Sequence, residues 1–236
     1  MKKDKKKGLG KKILLCVLVC LLAAVTAVAV WQRNNIVAVV KMMSRSGDEI
    51  AQEMNTNKKK LEDDLKEKNP SIVSDFTAEQ EKEIIKGTLS VDDAVKDLNE
   101  RYEGALKEYS LRSTGNSETD KKADKLVSDK VIELYSLKAY YLGQLGQLEA
   151  RVKSEYFALP ASKRNLVGKK EIVSKNMGTA MNLLSSCDSK VSSLLGELRS
   201  QLKSLGADTS VIKTIESAYE NEKALKKAYY LKLMGE

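Results

Sequence analysis

The apolar positions of this chain fall into two kinds of pattern, one unbroken and one periodic. From Ile13 to Trp31, nineteen consecutive residues carry no charge, and Thr26 is the only polar side chain among them. A helix of that length spans about 28 Å, close to the ~30 Å of a bilayer's hydrocarbon core. The run therefore predicts one transmembrane helix over residues 13–31. Beyond the polar patch Gln32-Arg33-Asn34-Asn35 the pattern turns periodic. Ile36, Val40, Met43, Ile50, Met54 and Leu61 fall on one seam with gaps of four and three, and Gly47 and Asn57 are its two weak positions. That is the stripe of an amphipathic helix. Asn69-Pro70 ends it near Lys68, because the residue before a proline avoids helical geometry.

Thr77 with Gln80 predicts the capped start of a short helix that closes around Gly87. Ser90 with Asp93 predicts a second start, and Asp92 and Asp93 complement the positive end of its dipole. Its stripe reads Val91, Val95, Leu98, Tyr102, Ala105, Tyr109. The turn Gly87-Thr88-Leu89-Ser90-Val91-Asp92-Asp93-Ala94 resembles that of the short helical hairpin known as SHOCT. The resemblance implies helix, turn and helix, and nothing about activity.

Ser113-Thr114-Gly115-Asn116-Ser117 reads as loop, and residues 110–119 are expected to form a flexible linker. Two long periodic segments follow. The first, residues 120–157, has Val127, Val131, Leu134, Tyr141, Leu145, Leu148 and Val152 in register, with Lys138 as an interruption. Gly143 and Gly146 each cost about 1 kcal/mol in a helix relative to Ala, so they mark a bend or a close backbone approach. Leu159-Pro160 ends this segment. The second, residues 170–205, has Met177, Ala180, Leu184, Cys187, Val191, Leu194 and Leu198 in register and Gly206 as its closing residue. A last helix, capped at Asp208 or Thr209, runs to about Met234 with Ile215, Ala218, Leu225 and Tyr229 inward.

Matched lengths and a short connection predict an up-down-up, antiparallel three-helix bundle over residues 120–236. The expected fold class is all-α: one N-terminal transmembrane helix, then long amphipathic helices in an antiparallel helical bundle or coiled coil. The expected organisation is a basic cytoplasmic tail (1–12), the transmembrane helix (13–31), a membrane-proximal helical or coiled-coil region (32–109), the linker (110–119) and the bundle (120–236).

Charge fixes the orientation. The chain's formal charge is +8, but residues 1–12 hold seven Lys and one Asp, Arg33 adds one positive charge, and residues 34–236 retain only +1. A lysine cluster directly before the apolar run places the N-terminus in the cytoplasm and the rest outside. A cleaved signal peptide is the rival reading, with Ala27-Val28-Ala29 as its cleavage site, but its apolar core is usually 7–15 residues. The length favours an uncleaved signal-anchor. Val19 before Cys20 disfavours a lipoprotein site. The near-neutral body lacks the one-sided positive field of a nucleic-acid binder, and none is expected as a partner.

Candidate chemistry is thin. The chain has no His, which removes the commonest general base and metal ligand. No CxxC, phosphate loop, HExxH or GxSxG occurs. Nucleophilic catalysis would therefore need a Ser–Lys or Ser–carboxylate pairing, and none stands out among many Ser and Lys. Asp63-Asp64 and Asp92-Asp93 diverge by ~100° on a helix and are poor acid/base partners. Cys187 falls on an apolar stripe and is expected as a small core residue. Tyr135, Tyr140, Tyr141, Tyr156, Tyr219, Tyr229 and Tyr230 all fall in the expected bundle, at its edges or on a contact surface.

No catalytic, cofactor-binding or metal-ligating residue is expected, and no cofactor. The expected role is a membrane-anchored, extracytoplasmic interaction or scaffold protein, with the lipid bilayer and either a protein partner or a second copy as partners. The alternative is a ligand-binding or sensory bundle acting through a partner subunit, its ligand unspecified.

Overall fold

The structure, a computed structural model, describes residues 46–112 and 117–235. Among these every regular element is helical and no strand occurs. The expected membrane helix, the basic tail, and Ile36, Val40 and Met43 of the first seam lie outside the described residues. No helix among the described residues is long and apolar enough to cross a membrane.

The described residues form six α-helices: α1 (Gly47–Lys68), α2 (Ala78–Lys86), α3 (Val91–Arg112), α4 (Glu118–Ala158), α5 (Leu166–Ser204) and α6 (Ser210–Gly235), with a 3₁₀ turn at Ala161–Lys163. Their ends obey local chemistry. Ser46 and Glu49 cap α1 reciprocally, and the helix stops at Lys68, before Asn69-Pro70. Thr77 and Gln80 form the full capping box of α2, and Gly87 closes that helix at φ +74°. Ser90 Oγ accepts the Asp93 amide at the start of α3. Ser117 caps α4 in the same way, and the Asn165 side chain accepts the Val167 and Gly168 amides at the start of α5. Gly206, at φ +69°, turns the chain toward α6.

The described chain divides into two compact units, 58–216 and the pair of segments 46–57 and 217–235. Neither edge falls at residues 110–119, because α3 on one side of that stretch packs on α4 on the other. In the larger unit α4 is the central element, touched by α2, α3 and α5. That is why its buried residues do not form one stripe: Val127, Ser128, Val131, Ile132, Tyr135, Ala139, Leu142 and Leu148 point to several neighbours. α4 and α5, 41 and 39 residues long, form an antiparallel hairpin. Glu155 meets Asn176, Tyr141 meets Ser186 and Lys130 meets Glu197, so each step back along α4 is matched by a step forward along α5.

The stripe expected on α5 holds at Val191 and Leu198 but is displaced by one position at Leu194 and at Met177, where Leu195 and Asn176 are the buried residues. Val191, Leu195, Leu198 and Leu202 are buried, whereas Leu194 is half-buried and Met177 exposed. Leu194 and Leu195 are equivalent in hydropathy, and only the neighbouring helix selects between them. In the smaller unit Ile50, Leu225 and Ala228 are fully buried together, with Met54 packed against them. This joins the first seam to the last helix, as two interlocking apolar faces.

Three helical glycines are a measurable weakness. Gly104, Gly178 and Gly196 are exposed, and a Cβ at each would meet nothing within 4 Å. Replacing all three with Ala is expected to raise stability by up to about 1 kcal/mol per site. Chemical denaturation of the triple variant checks this; an unchanged or lower midpoint contradicts it.

Candidate functional site

The densest polar chemistry surrounds residues 69–77, the loop from α1 to α2. Ile72, Val73 and Phe76 are buried, and they draw the intervening backbone inward, where its polar groups need partners. Asn69 supplies them. Its Nδ2 donates to the Asp124 carbonyl at 2.6 Å and to Ser128 Oγ at 2.9 Å, while its Oδ1 accepts the Ser71 amide at 3.1 Å and the Ser71 hydroxyl at 2.6 Å. Ser71 and Ser128 Oγ lie 2.6 Å apart. With Ser71 donating to Asn69, the Ser128 hydroxyl must donate to Ser71, and the three side chains close a ring.

Beside this ring lies a four-charge cluster. Lys138 Nζ, from α4, is 2.6 Å from Asp75 Oδ2 and 2.7 Å from Glu81 Oε1. Lys58 Nζ, from α1, is 3.3 Å from Asp75 and 2.8 Å from Glu81. Two cations and two anions alternate, and Asp75 also accepts the Phe76 amide at 2.7 Å. The Asp75 side chain is only 7% exposed and Lys138 14%. Burying charge is costly unless the charges neutralise one another. Lys138, the interruption in the sequence stripe, is thus the α4 member of an ion cluster that gathers α1, α2 and the loop.

A third group comes closest to the pairing that a His-free chain needs for nucleophilic chemistry. Ser74 Oγ lies 2.8 Å from Lys66 Nζ and donates to Glu62, which Lys66 Nζ approaches at 2.6 Å. Arg101 Nη1 holds the Ser74 carbonyl at 2.8 Å and its Nε meets Asp97 at 3.0 Å, while its buried Nη2 has no partner. Lys66 here donates to both neighbours, so it serves as a cation and not as a proton acceptor. Burial raises the Glu62 carboxyl, but hydrogen bonds from Lys66 and Ser74 and the charges of Lys66 and Lys58 carry it below its ordinary value. A weakly basic carboxylate is a poor base for serine at neutral pH. The arrangement ties the loop to α1 and α3.

It also predicts a pH dependence. A carboxyl lowered in the folded state contributes stability that is complete above its unfolded value, near 4.5, and lost as pH falls through the lower folded value. The melting temperature is expected to fall more gently with acid in Glu62→Gln than in the native chain below about pH 4.5. Parallel acid profiles for the two proteins would contradict this.

Two tyrosines of α3 complete the seam with α4. Tyr102 donates to Asp129 at 2.5 Å, and Tyr109 to Asp124. Burial raises the Tyr102 hydroxyl and Asp129 raises it further, so it remains a donor. On the hairpin, Lys130 spans Glu133 at 2.9 Å and Glu197 at 3.1 Å. Burial alone would lower this ammonium, but the two carboxylates raise it.

The tyrosines expected as a group do not share one surface. Tyr135 is buried and Tyr140 exposed. Tyr141 stands edge-on to Tyr140 and bonds Ser186, and Tyr156 is edge-on to Phe157. Tyr219 lies under Lys223 in the smaller unit, and the side chains of Tyr229 and Tyr230 lie outside the description. Cys187 is half-buried. Asp93 caps α3 with Ser90, and Asp63 is exposed. Among the described residues no three Cys, Asp or Glu gather in a metal-holding group. The ring, the cluster and the Ser74 group were hidden in the sequence because each joins residues from separate elements; only Lys138 gave a sign. No family model, no curated protein and no solved structure matches the chain, the 87–94 turn included.

Proposed function

We propose that this protein is a membrane-anchored helical scaffold, displayed outside the cytoplasm, that assembles with a second copy or with other envelope components. The carrying observation is the uncharged run 13–31, which follows a tail of seven lysines and has the length and flanks of a signal-anchor. The helical body supports the same reading. Its buried charges are spent on joining helices, which suits a rigid element that presents surfaces. Full-length protein is expected to stay in the membrane pellet through alkaline carbonate extraction. In detergent its mass, corrected for bound detergent, is expected to exceed the 26.2 kDa of one chain. Release by carbonate defeats the anchor; a monomeric mass with no co-purifying protein defeats the scaffold.

A further inference from the structure

We propose that the tip of the α4–α5 hairpin, residues 157–170, docks on an anionic lipid surface. The choice of bilayer rests on the anchored reading above; the tip's chemistry stands without it. Charge is distributed unevenly within the body. Residues 157–170 hold Lys163, Arg164, Lys169 and Lys170 and no acidic residue, a net +4. Since residues 34–236 together carry +1, everything in that range outside the tip carries −3. The near-neutral body is therefore weakly acidic outside this basic tip, although residues 223–235 of α6, with Lys223, Lys226, Lys227 and Lys232 and no acidic residue, are a second basic stretch.

That end also displays apolar side chains. Phe157 is 63% exposed and Val167 74%, one on each side of the turn. Between them Lys163 and Arg164 are exposed. The turn is built beforehand: Lys163 N–H donates to the Pro160 carbonyl at 2.8 Å, Arg164 N–H to Ala161 at 3.2 Å and Arg164 Nε to Leu159 at 2.8 Å. Gly168 allows the turn to fold back on α5, since a Cβ there would stand 2.1 Å from the Lys163 carbonyl oxygen. Little ordering is left to do on binding. Exposed Phe and Val beside cations suit an interface where hydrocarbon lies just beneath phosphate. An acidic protein would satisfy the cations and leave these apolar groups without a reason to be exposed.

The orientation within the larger unit agrees. Lys58 sits at Lys138 and Asn69 at Asp124 and Ser128, so α1 runs antiparallel to α4. Traced back from Asn69 to Lys58, the chain heads along α4 in the direction of the tip. Lys58, the first residue of this unit, thus lies on the tip's side of Asn69 along α4.

The test uses the full chain with Cys16, Cys20 and Cys187 replaced by Ser and a single Ser162→Cys carrying an environment-sensitive fluorophore. It is reconstituted into vesicles of phosphatidylcholine, or of an equal mixture with phosphatidylglycerol. The expected result is a blue-shifted label, quenched by lipid-borne quenchers, in the anionic vesicles only. Reversing Lys163 and Arg164 to Glu should abolish the shift, each basic residue being worth about fivefold in partitioning. Phe157→Ser with Val167→Ser should weaken it. Arg164→Glu also removes the Nε bond to the Leu159 carbonyl, so Lys163→Glu alone, which should weaken the shift by itself, is measured beside it, and circular dichroism of each variant checks that the fold is kept. A water-like label in both vesicles overturns the proposal, as does an equal shift in both. A shift produced by an acidic protein or a nucleic acid and not by lipid overturns it too. Failure of the chain to float with neutral vesicles would sink the anchor alone, because the label's response to added anionic vesicles still decides the tip.

Discussion

Replacing Asp75 with Ala is expected to cost about 3–5 kcal/mol of unfolding free energy. The loss has a specific origin. Asp75 stands between Lys58 and Lys138, 3.3 and 2.6 Å away, and without it two partly buried ammonium groups share the single carboxylate of Glu81. An uncompensated charge away from water costs more than the pair contributes when intact. Hence the pattern across variants is more informative than any single value. Lys138→Met alone should be similarly harmful, because it leaves two anions facing Lys58. Combining Lys138→Met with Asp75→Ala restores neutrality, with Lys58 against Glu81, and is expected to recover much of the loss. Urea denaturation of the two singles and the double measures this. Additive losses would contradict the cluster as described.

Gly146→Ala is expected to destabilise by about 2–3 kcal/mol, although Ala favours a helix by about 1 kcal/mol over Gly. An added Cβ would stand 2.0 Å from the Ile85 carbonyl oxygen and 2.8 Å from its carbon. Those are backbone atoms at the end of α2, so no rotamer change relieves the overlap and the two helices must separate. Gly143 offers an internal contrast. Its Cβ would meet only the Val91 Cγ2 at 2.7 Å, a side-chain atom that can give way. Gly143→Ala should therefore cost less, and Val91→Ala should rescue it further. Thermal melts of the three variants suffice. Equal losses at the two glycines would show that the α2–α4 approach is not what Gly146 serves.

These two sites show which parts of the fold can be read from a sequence. Local signals carried well. Thr77 with Gln80, Ser90 with Asp93, Gly87, Gly206 and Asn69-Pro70 mark helix ends through bonds that reach only a few residues, and the ends fall there. Gly146 was visible as an expensive residue in a helix, and the structure supplies its reason in Ile85. Position along a stripe was less legible. Met177 and Leu194 match the periodicity as well as their neighbours do, and the choice of Leu195 over Leu194 belongs to α4. The non-local chemistry was not legible. Lys58, Asp75, Glu81 and Lys138 come from four separate stretches, and Asn69 with Ser128 and Lys66 with Ser74 each from two. Nothing in their spacing announces those meetings. Chain division behaves similarly: a polar stretch at 113–117 reads as a joint, yet Tyr102 and Tyr109 reach past it to Asp129 and Asp124.

The central claim is that a lysine-flanked apolar segment holds this helical body on the outer side of a membrane. Protease accessibility measures it most directly. Protease added to intact cells, or to spheroplasts where a wall intervenes, is expected to digest an epitope at the C-terminus and to leave a short membrane-embedded fragment that retains the N-terminal lysines. Complete protection of that epitope until the membrane is breached, or recovery of the full-length chain from the soluble fraction, would contradict it.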